Sequence, residues 1–268
     1  MARHTTGKKF FIHAPAVKGI RSRTTGEFVS KRLIRINRPF HGAEAWQHNV
    51  FYFWWEFLKR HEGYKDCCDR GGAGRYKKLY ADWGNIHAYE NFWTWWSEKI
   101  NEDETRGEFL FAEPDARQIR ISDKPHSEKS DTLLLAVPIE VRAAYLVRMF
   151  RKVLKDHKQE VSAARRISRA RYPVTAKVAL SSLYQTMRVW DLWQEHKHSK
   201  PKLWKYELCD MAGVSVSTEE TLGKSVDKDK IERIFRRRKT QAFDRYLRAA
   251  DDYIENAVVS FPKRTVEL

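Results

Sequence analysis

Residues 228–258 read KDKIERIFRRRKTQAFDRYLRAADDYIENAV, running from Lys228 to Val258. Counted from Ile231, the apolar positions Ile231, Ile234, Phe235, Ala242, Phe243, Tyr246, Leu247, Ala250, Tyr253 and Ile254 stand at 0, 3, 4, 11, 12, 15, 16, 19, 22 and 23. That period belongs to a helix with one apolar face, and it predicts a single long helix here. Offsets 7 and 8 continue the face but hold Arg238 and Lys239, inside the run Arg236-Arg237-Arg238-Lys239. Guanidinium groups are not buried against hydrocarbon without a large penalty. The first half of this helix is therefore expected to leave the core and face solvent or a partner.

Between Lys228 and Arg248 nine basic residues stand against three acids. The planar fork of Arg bonds guanine O6/N7 or a phosphate through two parallel hydrogen bonds. Arg233, Arg236, Arg237, Arg238, Lys239 and Arg245 are accordingly the candidate DNA contacts, taken jointly, because sequence does not sort base readout from phosphate positioning. The plain alternative is a solvated basic face on an ordinary bundle helix.

Two helices are expected just before this one. Ala176, Leu180, Leu183, Tyr184, Met187, Trp190 and Trp193 repeat with helical period behind Pro173, and KLWKYELCDMA at 202–212 makes a short helix closed by Gly213. Three helices with a short middle one form a helix-turn-helix-like module that presents its last helix to a major groove. The spacer at 214–227 is longer than the turns usual in that motif. Farther upstream, 161–177 carries Arg165, Arg166 and Arg169 and no acid, which makes these three the candidate secondary phosphate contacts.

A helix after Pro138 is expected to bury Ile139, Ala143, Leu146, Val147, Phe150, Val153 and Leu154 and to expose Arg142, Arg148, Arg151, Lys152 and Lys155. The alternation at 117–122 and the apolar run at 132–137 suggest a small β hairpin. The fold class expected is thus mainly α with a small β element, α+β.

The N-terminal half differs in character. Residues 1–39 form a basic arm, with ten Lys/Arg against the single acid Glu27. Residues 40–113 hold seven of the ten tryptophans. There Val50, Phe53, Trp54, Phe57 and Leu58 mark a core helix, widened by Phe51 and Trp55. These rings fill a core or form a stacking platform for bases, and the helical spacing favours the core. The resulting division is an arm (1–39), a Trp-rich interaction module (40–113) that offers a site for a protein partner, and a DNA-binding module (117–262).

Chemistry beyond binding has little footing. Gly71-Gly72-Ala73-Gly74 does not match a phosphate-cradling loop. Cys67-Cys68 with His61 or His87 lacks zinc spacing, and Glu113, Asp115 and Asp123 are an incomplete carboxylate set. No catalytic residue, metal or cofactor is expected. The 268 residues carry 51 Lys+Arg and 35 Asp+Glu, a net charge of +16, which calls for a polyanion such as duplex DNA or RNA. Apolar runs are far shorter than the roughly 20 residues of a membrane span, no secretory signal is evident, and three cysteines make no disulfide framework. A cytoplasmic protein without a membrane partner is expected.

Trp55-Glu56-Phe57-Leu58 with Arg60 and Tyr64 (W-E-F-L-x-R-x-x-x-Y), followed by Trp83-Gly84, resembles the opening module of RovC/FseA-like transcriptional activators of bacterial integrative elements. The helix at Leu183–Trp193, the short helix ending Met211-Ala212-Gly213 and the Arg-rich helix from Ile231 resemble their DNA-binding module. The resemblance implies a DNA-binding transcriptional regulator of a mobile element or phage, acting as a homo-oligomer. The basic arm, the paired cysteines and the 214–227 spacer depart from that pattern. The readings from other classes are a nucleic-acid-processing enzyme or accessory factor, and a host-interaction or assembly protein docking through the Trp-rich module.

Overall fold

Ten residues, VFYFWWEFLK, set the centre of the fold as helix α1 (Val50–Lys59), which buries every residue except Glu56 and Lys59. Such a helix needs neighbours on all sides. Its start is fixed by Asn49, whose side chain accepts from the Tyr52 N–H at 2.8 Å, satisfying one of the free first-turn donors. The computed structural model containing it describes residues 10, 39–102, 104–113, 137–138, 140–157, 168, 170–174, 179–216 and 228–262.

Short helices surround α1: α2 (Glu62–Asp69), α3 (Lys77–Trp83), α4 (Phe92–Ser97) and α5 (Arg106–Phe111). Side chains cap three of them. His61 Nδ1 accepts from Tyr64 N–H for α2, Asn91 from Thr94 N–H for α4, and Thr105 with Glu108 makes a capping box for α5. Indole rings then fill the space between them. Trp54, Trp55, Trp83 and Trp95 are fully buried, Trp83 stacks on Trp95, and Trp95 Nε1–H donates to the Trp83 carbonyl at 2.8 Å. Gly107 is required by this packing, since a Cβ there would lie 2.0 Å from the Trp96 ring. The aromatic residues are core, not a platform.

The motif residues of α1 and its surroundings serve the same core. Tyr64 Oη–H donates to the Gly84 carbonyl at 2.7 Å, so the tyrosine and the Trp83-Gly84 pair are bonded to each other. Arg60 reaches across to Asp191 with Nε and Nη2 at 2.8 and 2.9 Å, and its Nη1 also meets Glu56 at 2.6 Å. Burial works against this charge, but the bonds to Asp191 and the field of Glu56 outweigh it and keep the guanidinium protonated.

Asp191 belongs to α7 (Leu180–His196), which packs with α8 (Lys205–Met211) and α9 (Lys228–Asn256). A second apolar cluster lies among them, formed by Val189, Leu192, Leu208, Cys209, Ala212, Val214, Ala242 and Phe243. Gly213 ends α8 at φ +67°, the left-handed turn that glycine adopts without penalty. The main core does not stop near residue 113. It takes in Leu183 and Met187 of α7, Ala249, Ala250, Tyr253 and Ile254 of α9, and Phe261, and Trp54 Nε1–H donates to the Ala257 carbonyl at 2.7 Å.

The architecture is mainly helical. Among the described residues there are only isolated bridges, Phe10 with Ala112, Lys99 with Thr105 and Val174 with Phe261. The expected hairpin at 117–122 and 132–137 lies outside them save for Val137, as does nearly all of the arm. Two helix expectations change. Pro173 does not open a helix at residue 174, because Val174 bridges Phe261 and both are buried; α7 starts at Leu180. The helix α6 (Ala143–Asp156) forms with its apolar period but buries no residue, and Val147 is 52 % exposed. Periodicity alone does not supply a surface to cover it.

Candidate nucleic-acid interface

Helix α9 is buried at one end only. From Ala242 onward Ala242, Phe243, Ala249, Ala250, Tyr253, Ile254 and Asn256 are buried. From Asp229 to Gln241 none is, and Ile231, Ile234 and Phe235 are half-buried. With 3.6 residues per turn, Lys230, Arg233, Arg237, Gln241, Arg245 and Arg248 fall on one line opposite the core, and all six are exposed. At about 1.5 Å of rise per residue the line runs roughly 27 Å.

Its charge is only lightly offset. Asp244 is the acid on this line before Asp251, and Lys205 Nζ of α8 holds it at 2.6 Å. Lys230, Arg233, Ile234 and Arg237 line an open depression of about 420 Å³. Beyond Arg248 the outward face turns acidic with Asp251, Asp252 and Glu255, so the cationic line has a definite end.

The candidate contacts do not form one group. Arg233, Arg237 and Arg245 lie on the outward line, Arg245 against the ring of its neighbour Tyr246 at 5.6 Å. Arg236 is exposed but turned toward α8. Its guanidinium bonds Glu232, which keeps it firmly protonated, and lies over the Tyr206 ring at 5.0 Å. Lys239 is half-buried, with Nζ 2.6 Å from Asp210 at the end of α8. Arg238 is half-buried as well.

The break in the apolar face is therefore answered inside the protein: an acid on α8 meets the cation at offset 8. In the two turns before it, Ile231 and Phe235 line a depression of about 560 Å³ with Val214, Val216 and Asp210. Arg165, Arg166 and Arg169 lie outside the described residues. Lys230, Gln241 and Arg248 were not among the sequence candidates, although their spacing of 3 or 4 residues from Arg233, Arg237 and Arg245 carried the signal.

Elsewhere the ionisable groups are structural. Cys67, Cys68 and Cys209 are buried free thiols, and burial pushes the Cys68 thiol up to about 11. Glu113 is buried and accepts from Ser168 Oγ–H at 2.7 Å; Asp115 and Asp123 lie outside the described residues. Among the described residues no group of three or more His, Cys, Asp or Glu is placed to hold a metal ion, and no helix is long and apolar enough to cross a membrane.

Compared with known proteins, the chain matches no family model, no curated protein and no solved structure.

Proposed function

We propose that this chain is a DNA-binding transcriptional regulator of a bacterial mobile element or phage that grips duplex DNA along the outward line of α9. The observation carrying the proposal is that line itself: five cations and one glutamine, all exposed, on one side of a helix whose second half is anchored in the core. A major groove about 12 Å wide admits a helix, and Arg and Lys in file along it meet phosphates on either wall. The mutual packing of α7, α8 and α9 supports a helix-turn-helix-like module in which α9 is the reading helix.

The regulatory role rests on the resemblance to RovC/FseA-like activators. Its motif residues Trp55, Phe57, Leu58, Tyr64 and Trp83 belong to one core cluster here, with Arg60 bonded to Asp191 and Tyr64 to Gly84. The Trp-rich segment has no large exposed apolar residue among those described, which weighs against a docking role for its rings.

Fluorescence anisotropy with a labelled duplex tests the proposal. If about six phosphates are neutralised, affinity falls roughly 10³-fold between 50 and 200 mM salt. Binding that is flat with salt would contradict any nucleic-acid role.

A further inference from the structure

Leu203 and Trp204 point in opposite senses. Leu203 packs on the second apolar cluster, while Trp204 leaves its indole 67 % exposed. A single exposed apolar side chain is ordinary, whereas a contiguous exposed apolar patch marks a contact surface. The backbone here is fixed, because Trp204 N–H donates to Glu207 Oε2 at 2.7 Å. Met211, 50 % exposed, follows seven residues on and so shares its face of α8.

What the indole stands beside decides its ligand. The first turn of α8 is tied to α9 at two points: Lys205 Nζ to Asp244 at 2.6 Å, and the Tyr206 ring beneath Arg236 at 5.0 Å. Residues 236 and 244 bracket Arg237 and Gln241 of the cationic line. Lys200 and Lys202, both exposed, precede the indole in the chain. An open aromatic face next to cations suits a nucleobase whose own phosphate is held nearby.

We infer that Trp204 stacks an unpaired base, so that the nucleic acid held by α9 carries at least one nucleotide out of its helical stack at the edge of the contact. This rests on the DNA-binding reading above. It specifies the substrate as a distorted duplex or a duplex next to a single-stranded segment.

The test uses the full chain at low salt with two probes. One is a fully paired duplex of about 20 base pairs, and the other is the same duplex with one extra unpaired 2-aminopurine nucleotide. Wild type is expected to bind the bulged probe roughly tenfold more tightly, the scale of one aromatic–base stack, and to quench the 2-aminopurine emission. W204A should lose both the preference and the quenching while keeping its paired-duplex affinity, and W204F should retain part of each. A preference that survives in W204A, or wild type binding both probes equally, would overturn the inference and leave duplex binding standing. Failure to bind either probe would overturn the DNA-binding reading and this inference together.

Discussion

The two halves of α9 share one sequence period and one backbone, yet they do different work. After Ala242 the inward positions sit against α7 and the tryptophan core, with Phe243, Ala250 and Tyr253 at or below 5 % exposure. Before it the inward positions are half-buried; there Lys239 meets Asp210 of α8, while Arg236 pairs with Glu232 of its own helix and lies over the Tyr206 ring of α8. Burial thus anchors one end, and ion pairing with a short neighbour holds the other. The outward line of cations runs across both halves, supported by the first and directed by the second.

Removing the anchor should have the largest effect. Phe243→Ala empties a fully buried site shared by α7, α8 and α9 and is expected to cost about 3–5 kcal/mol of unfolding free energy by denaturant titration. Arg237→Ala, six residues earlier on the outward face, should leave that value within about 0.5 kcal/mol. Equal losses from the two would erase the contrast between the halves.

A smaller effect tests the neighbour that holds the first half. Gly213→Ala places a side chain at φ +67° and should cost about 1–2 kcal/mol. The loss should appear first as faster amide exchange in α8, because this turn ends α8. An unchanged exchange pattern would mean α8 does not depend on the turn.

The smallest effect concerns protons. Burial holds the His61 imidazole below its ordinary value, and His87 likewise. The unfolded chain then takes up protons first as pH falls, so stability is full above the unfolded value near pH 6.5 and declines below it. His61 Nδ1 must stay unprotonated to accept from Tyr64 N–H. His61→Asn keeps an N-cap acceptor and should flatten part of this decline in thermal melts between pH 7 and 5; an unaltered pH profile would remove His61 from the account.

Much of this was legible in the chain. Offsets of 3 and 4 among Val50, Phe53, Trp54, Phe57 and Leu58 marked α1, and among the described residues the long helix covers Lys228–Asn256, against the 228–258 read from its period. Gly213 marked the end of α8. What was illegible depends on partners distant in sequence. Asp210 lies 29 residues from Lys239, so the chain alone does not tell an internally paired cation from a free one. Equally, α6 has a faultless apolar period and no buried residue. Helices α3 to α5, of six or seven residues each, are too short for a helical period to emerge.

The central claim is that position on α9, not net charge, makes the interface. Two double variants, R233A/R237A and R236A/K239A, each remove two positive charges from the same helix. Anisotropy titration of both against one labelled duplex at fixed salt tests the claim directly. R233A/R237A is expected to lose roughly thirtyfold or more in affinity, while R236A/K239A stays within about threefold of wild type. Equal losses in the two variants would show that the helix binds by bulk charge and would contradict the assignment of the outward line.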